Sequence, residues 1–248
     1  MADRYYVSAP ISPGRLKLAG PEAHHLLHVV RAGVGAQVVL FDGSGRQASA
    51  RVVGVERDTA VLDVEPPLAV DRESPLALTL AVALPKGDRQ RWLVEKAVEL
   101  GVAGLIPLVT RRGVAQPVDA ALARLRRTVV EASKQCGRNR LLEIEPARQW
   151  PALAAAPVER QRRWIAHPAG DAAIAAQFIQ MVSSGSEPLI VAIGPEGGFD
   201  DDELQLADAH SWQRLDLGPR ILRVETAALA VAAAVAMGAR AGKAVDRG

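Results

Sequence analysis

From Pro75 onward, short apolar runs alternate with longer segments of helical period, and no other feature limits the fold so strongly. "RRWIAH" and "WQRLDLG" read as strands, and the runs "LALTLAVAL", "LIPLVT" and "PLIVAIG" are nearly continuous in apolar character instead of alternating with polar residues. A strand of that kind is buried on both faces, so helices must cover both sides of its sheet. The intervening segments supply them. "GDRQRWLVEKAVELG" sets Trp92, Leu93, Ala97, Val98 and Leu100 on an apolar face and stops at Gly101. "AALARLRRTVVEASKQC" has an Arg-rich outer face; "DAAIAAQFIQMV", "DDELQLADAH" and the terminal "RVETAALAVAAAVAMGAR" complete the set. Strands joined through helices predict an α/β domain with a parallel sheet.

The first seventy residues follow a different pattern. "AQVVLFDGSGRQASARVVGVE" holds two β-rich runs around an Asp-Gly-Ser-Gly turn, and "TAVLDVEPP" reads as a third strand closed by prolines. One short helix, "PEAHHLLHVVRA", interrupts them, giving the outline of a small, mostly antiparallel β-barrel. The polar, proline-bearing stretch Pro66 to Pro75 marks the boundary, with one domain at residues 1–72 and a second at residues 73–248. No period of twenty to fifty residues repeats, which excludes solenoids and propellers.

Charge narrows the class of partner. Net charge is only +2, but between Lys86 and Arg140 there are twelve Lys or Arg against five Asp or Glu, and from residue 141 onward ten against fourteen. A basic middle segment in a near-neutral chain is the footprint of a polyanion such as nucleic acid, although an Arg-rich solvated helix face would read the same way. Phosphate donors are expected from Lys86, Arg89, Arg91, Arg138, Asn139 and Arg140, with Arg4 and Arg31 serving from the barrel. Aromatics make up 4% of the chain, too few for base stacking to dominate affinity, and Trp92 is expected in the core.

Other classes are disfavoured. His24, His25 and His28 lack the cysteine or acidic neighbours that would complete a metal set, so no metal is expected. Cys136, the single cysteine, has no paired base and no disulfide partner; with an opening MADRYYVSAP that lacks a signal-peptide core, it points to the cytoplasm. The longest apolar stretch, Ala227 to Ala239, is thirteen residues, short of the ~20 a membrane span requires.

Ligands of parallel α/β sheets sit at the carboxyl ends of strands, where two loops stand out: Gly194 to Phe199, and Gly218 to Thr226. Neither carries a phosphate-binding GK[ST], the GxGxxG fingerprint is absent, and Glu196 would repel a phosphate. Glycines at 194, 197 and 198 permit close approach of a flat ligand and Pro195 stiffens the turn; the plainer reading is a tight turn into an acidic helix start. Arg223 and Glu225, entering an apolar helix, must be paired or used.

Four segments, "IGPEGGF", "LGPRILRVETAALA", "LPKGDRQRWLVEKAVELG" and "EASKQCGRNR", resemble the signatures of the ribosomal RNA small subunit methyltransferase E family, SPOUT-superfamily enzymes that methylate N3 of a uridine in 16S ribosomal RNA. "EAHHLLHVVRAGVGAQVVLFDGSG" is similar to that family's PUA-like barrel, so the likeness spans nearly the whole chain. It implies a trefoil-knotted C-terminal domain, a homodimer, and S-adenosylmethionine held by Gly194, Pro195, Glu196, Gly197, Gly198, Leu217, Gly218, Ile221, Leu222, Arg223, Thr226 and Ala227. A sulfonium ligand would tolerate Glu196. N3 methylation needs the imide proton removed. Arg223 is therefore expected to favour the uracil anion, with Glu225 or Glu196 taking the proton, unless Arg223 and Glu225 merely pair with each other. Val224 stands where the family more usually has threonine, and Leu142 where a proline is usual nearby. Two rival readings are a non-catalytic RNA-binding assembly protein and a SPOUT enzyme acting on another RNA such as transfer RNA.

Overall fold

The computed structural model describes residues 3–114, 118–157, 160–168, 172–184 and 187–245. Two compact units emerge: Met1–Glu73 with Val130–Leu141, and Ser74–Val129 with Leu142–Gly248.

The first unit is a six-stranded sheet of β1 (Arg4–Tyr6), β2 (Gly14–Leu18), β3 (Gln37–Phe41), β4 (Arg46–Glu56), β5 (Thr59–Val64) and β6 (Leu68–Ala69). The order is β1-β3-β4-β5-β2, with β6 also on β4. All pairings are antiparallel except β1 with β3. The β3–β4 hairpin turns where Gly43 (φ 82°) and Gly45 (φ 97°) take up the left-handed backbone expected of Asp-Gly-Ser-Gly. Asp42 Oδ1 fixes that turn by accepting from the Ser44 N–H at 3.0 Å and its hydroxyl at 2.6 Å. Helix α1 (Gly20–His24) continues as a π-helical turn, His25–Val29, and drops Ala23 and Leu26 into a core with Tyr5, Leu40, Val52 and Leu62.

A segment from the middle of the chain completes this unit, and no composition shift announces it. Gly137 turns the chain at φ 79°; a Cβ there would lie 2.8 Å from Arg72 Nη1, which donates to the Gly137 carbonyl. Arg138, only 5% exposed, forks onto Glu73, with Nε at 3.0 and 3.1 Å from the two carboxylate oxygens and Nη2 at 2.5 Å. Asn139 donates to Gln47 Oε1 at 3.1 Å and the Val70 carbonyl at 3.2 Å, and its Oδ1 accepts from Arg4 Nη2 at 2.5 Å. Of the tetrapeptide "GRNR", Arg140 is the exposed member.

The second unit holds β7 (Leu78–Val82), α2 (Asp88–Glu99), β8 (Gly104–Val109), α3 (Asp119–Cys136), β9 (Glu143–Ile144), β10 (Arg148–Gln149), α4 (Trp150–Ala154), β11 (Arg162–Ala166), α5 (Ala172–Ser184), β12 (Leu189–Ile193), α6 (Asp201–Ala209), β13 (Gln213–Leu215) and α7 (Val224–Val245). Its sheet runs β10-β8-β7-β12-β11-β13, with β9 also on β8, and every pairing is parallel. The expected α/β class with a parallel sheet is what forms; β12 is buried at every position, as a continuous apolar run requires. Asp171, the expected first residue of α5, lies outside the described residues.

Three features differ from expectation. Helix α2 turns Leu93, Val94, Ala97 and Val98 inward and leaves Trp92 47% exposed. Successive helical residues lie about 100° apart, which puts Trp92 on the face opposite the 93/94/97/98 stripe. Helix α4 and the two-residue strands β9 and β10 were too short for periodicity to announce them. Trp150 of α4 is fully buried, edge-on to Trp212 at 5.1 Å, and donates to the Glu203 carbonyl at 3.0 Å.

The Glu73–Arg138 fork is a partly buried, multiply hydrogen-bonded charge pair, and removing the carboxylate charge weakens it. Glu73→Gln is expected to destabilise the protein by about 1.5–3 kcal/mol in urea unfolding, the usual contribution of hydrogen bonds to a charged group. Arg140→Gln, at the exposed neighbour, is expected to leave the midpoint unchanged.

Candidate functional site

Strand order decides where a ligand can sit. Because β11 lies between β12 and β13, with Ile165 beside Ala192 and Ala166 beside Leu215, three carboxyl-terminal loops emerge side by side. They enclose a cavity of about 320 Å³.

The loop after β12 forms one wall. Gly198 (φ 68°) donates its N–H to the Pro195 carbonyl at 2.8 Å, closing a tight turn over Glu196 and Gly197. A Cβ on Gly194 would come within 2.8 Å of the Phe199 ring, which is buried against Trp150 with ring centroids 4.9 Å apart. Glycine is therefore required at 194 for space and at 198 for backbone conformation. Asp200 then caps α6, accepting from the Glu203 N–H at 2.8 Å while Glu203 accepts from the Asp200 N–H at 3.0 Å. That bond to the Glu203 N–H, and then Arg111, hold the Asp200 carboxyl below its usual range against an opposing effect of burial.

The loop after β13 forms the facing wall. Asp216 accepts from the Gly218 N–H at 2.8 Å, and Gly218 sits at φ 107°. Leu217, Leu222, Val224 and Ala227 line the space, whereas Ile221 is 92% exposed and Arg223 and Thr226 face solvent. Of the twelve expected cofactor positions, Gly194 through Gly198, Leu217, Gly218, Leu222 and Ala227 thus line one cavity, while Ile221, Arg223 and Thr226 lie outside its lining.

Sequence reasoning missed several lining residues. His167 and Pro168 follow β11, a third strand end to which the switch-point rule would have led. Burial, then the nearby Arg214, lowers the His167 pKa from its usual 6.5, with Asp208 opposing. Arg220 and Asp216 add one charge of each sign. Arg112 comes from the loop after β8 and donates to the Gly197 carbonyl at 2.8 Å. Its neighbour Arg111 gives its N–H to Glu203 at 2.9 Å and its guanidinium to Asp200 at 3.0 Å and Asp202 at 2.6 Å. No local pattern in "TRRG" marks it as part of a site.

The expected catalytic residues separate. Glu196 lines the cavity, and its Oε1 is 3.2 Å from Arg89 Nη1. Glu225 is 6% exposed; Oε1 lies 3.6 Å from the same Arg89 Nη1, and Oε2 is buried without a hydrogen-bond partner among the described residues. Glu225 therefore pairs with Arg89, and exposed Arg223 stands outside that pair. Among the expected RNA donors, Arg31, Lys86, Arg91 and Arg140 are exposed. Arg89 is held by the two glutamates, Arg4 bonds Gln47 and Asn139, and Arg138 and Asn139 are buried. Among the described residues no group of three His, Cys, Asp or Glu could hold a metal ion, and no helix is long and apolar enough to cross a membrane.

Fold and cavity define an RNA methyltransferase: residues 72–236 match the RNA methyltransferase domain family and residues 18–65 the RNA methyltransferase PUA domain family. Ribosomal RNA small subunit methyltransferase E of Synechocystis is 32% identical over 221 residues, covering 85% of this chain and 69% of that protein. A methyltransferase from Legionella pneumophila, solved with the cofactor SAM, superposes with a TM-score of 0.84 at 31% identity over 95% of this chain and 97% of the other. The E-type enzyme of Neisseria gonorrhoeae, bound to S-adenosyl methionine, gives 0.83 at 29% identity over 96% and 98%. The chain belongs to the ribosomal RNA small subunit methyltransferase E family.

The lowered His167 pKa has a signed consequence for stability. The folded state favours the neutral ring, so the unfolded chain takes up the proton first as pH falls. The associated stability is full above about pH 6.5 and is lost as pH drops toward the folded value. Between about pH 7.5 and about pH 5, the melting temperature of His167→Gln is expected to fall less than that of the parent, as measured by calorimetry.

Proposed function

We propose that the protein transfers a methyl group from S-adenosylmethionine to N3 of a uridine in 16S ribosomal RNA, acting as a cytoplasmic homodimer whose C-terminal chain end is knotted. One observation carries the reading: the turn Gly194–Gly198 and the Leu217–Leu222 loop, separate in sequence, line a single cavity of about 320 Å³. The residues present suit the cofactor. That volume is at the lower end of the ~300–1,000 Å³ typical of small-molecule pockets. Glycine at 194 and 198 lets the backbone approach a flat ring, Arg112 and Arg220 offer donors to a carboxylate, and Glu196 with Asp216 offers acceptors to an ammonium or sulfonium.

The bound cofactor would supply a methyl carbon activated by a sulfonium, which becomes a neutral thioether on transfer. The chain's residues handle the rest. The N3–H proton passes to a carboxylate, Glu225 or Glu196; the freed N3 pair bonds the methyl carbon as the carbon–sulfur pair returns to sulfur. Arg223, exposed between the lining residues Leu222 and Val224, is assigned the uracil oxygens, with charge accumulating on them as the proton leaves. N3 lies on the pairing edge, so the base must be unpaired or swung out. Phosphate contacts from the exposed Arg31, Lys86, Arg91 and Arg140 would then hold the strand.

The direct test is to treat small-subunit ribosomal RNA with protein and cofactor, digest it, and identify nucleosides by mass spectrometry. N3-methyluridine is expected. A different methylated nucleoside, or modification of transfer RNA alone, would replace the substrate assignment, and cofactor binding without any product would indicate an RNA-binding protein. Glu225→Gln is expected to retain cofactor binding in calorimetry while losing about 10²-fold or more in turnover, the usual contribution of a general base. RNA affinity is expected to fall steeply with salt, with a log–log slope of about −0.7 per phosphate contact on single strands.

A further inference from the structure

The Arg89 side chain, on the first turn of α2, stands between the two carboxylates assigned to proton removal. Its Nη1 lies 3.2 Å from Glu196 Oε1 and 3.6 Å from Glu225 Oε1. Glu196 belongs to the cavity-lining turn after β12, and Glu225 to the first turn of α7 between the lining residues Val224 and Ala227, so one guanidinium joins these two elements. One cation is thus shared by two acids, and the Oε2 atom of the buried Glu225 has no hydrogen-bond partner among the described residues. A buried carboxylate oxygen left unpaired is costly unless a donor arrives.

We infer that Arg89 is a positioning residue: it ties the turn bearing Glu196 to the start of α7 and so fixes the side chains of Glu196 and Glu225 relative to each other. This rests on the proposed methyl transfer and takes Arg89 out of the set of phosphate contacts suggested by local charge. A lysine could keep the charge but would lose the planar fork, so it should restore the arrangement only in part.

The test compares Arg89→Gln and Arg89→Lys in the full-length protein. For Arg89→Gln the inference expects kcat to fall about 10-fold or more, with the KM for RNA and the salt slope of RNA affinity both unchanged. Arg89→Lys should recover part of kcat, and Arg89→Gln combined with Glu225→Gln should lose little beyond Glu225→Gln alone. Amide hydrogen exchange gives an activity-independent readout: in Arg89→Gln, residues 194–198 and 224–228 should exchange faster together. Unchanged kcat with a salt slope shallower by about 0.7 would overturn the inference and make Arg89 a phosphate contact. Unaltered exchange in both segments would overturn it equally. If the unmodified protein methylates no RNA, the proposed function fails, and hydrogen exchange still decides whether Arg89 ties the two elements.

Discussion

The site depends on one pairing, β7 with β12. That register, Leu78 beside Leu189 through Val82 beside Ile193, brings together strands more than a hundred residues apart in sequence and seats β12 at the middle of the sheet. Everything downstream stacks outward from it: β11 joins β12, β13 joins β11, and the ends of all three align. Parallel strands cannot pair through a tight turn, so each addition needs a helical crossover, and those crossovers deliver the cavity loops to one edge. Contacts made far from any ligand thereby determine where the ligand-binding loops end up.

Charged side chains then stiffen what the sheet has positioned. The turn Gly194–Gly198 is held from one side by Arg112 on the Gly197 carbonyl and from the other by Arg89 on Glu196, while Arg111 secures the start of α6. Each exposed pair alone is worth little, roughly 0–1 kcal/mol, because water competes and long side chains lose freedom. Their combined effect is to restrict a glycine-rich turn that would otherwise sample many conformations.

Much of this was legible in the residues. The nearly uninterrupted apolar runs gave β7, β8 and β12 because burial on both faces leaves a composition no half-exposed strand shares, while the more polar β11 and β13 were legible from their place in the strand–helix alternation. Both cavity loops were legible because they follow such strands and because glycine at 194 and 198 answers a local steric demand. What stayed hidden depends on the tertiary arrangement. Arg112 reaches the cavity from a loop eighty-five residues before the carbonyl it holds, and α4 is too short for its period to register. The basic segment misled in an instructive way. Its charges were countable, but a count cannot tell Arg140 in solvent from Arg138 folded onto Glu73, since only the location of a carboxylate sixty-five residues away separates them.

That last contact bears on the order in which the chain can mature. Translation delivers Glu73, Gln47 and Val70 well before Arg138 and Asn139, which later occupy them. Until Leu141 clears the exit tunnel, the nascent amino-terminal sheet therefore lacks the residues that complete its unit. Closure of the first body is thus postponed until more than half the polypeptide exists, so its folding is coupled to synthesis of the segment that begins the second.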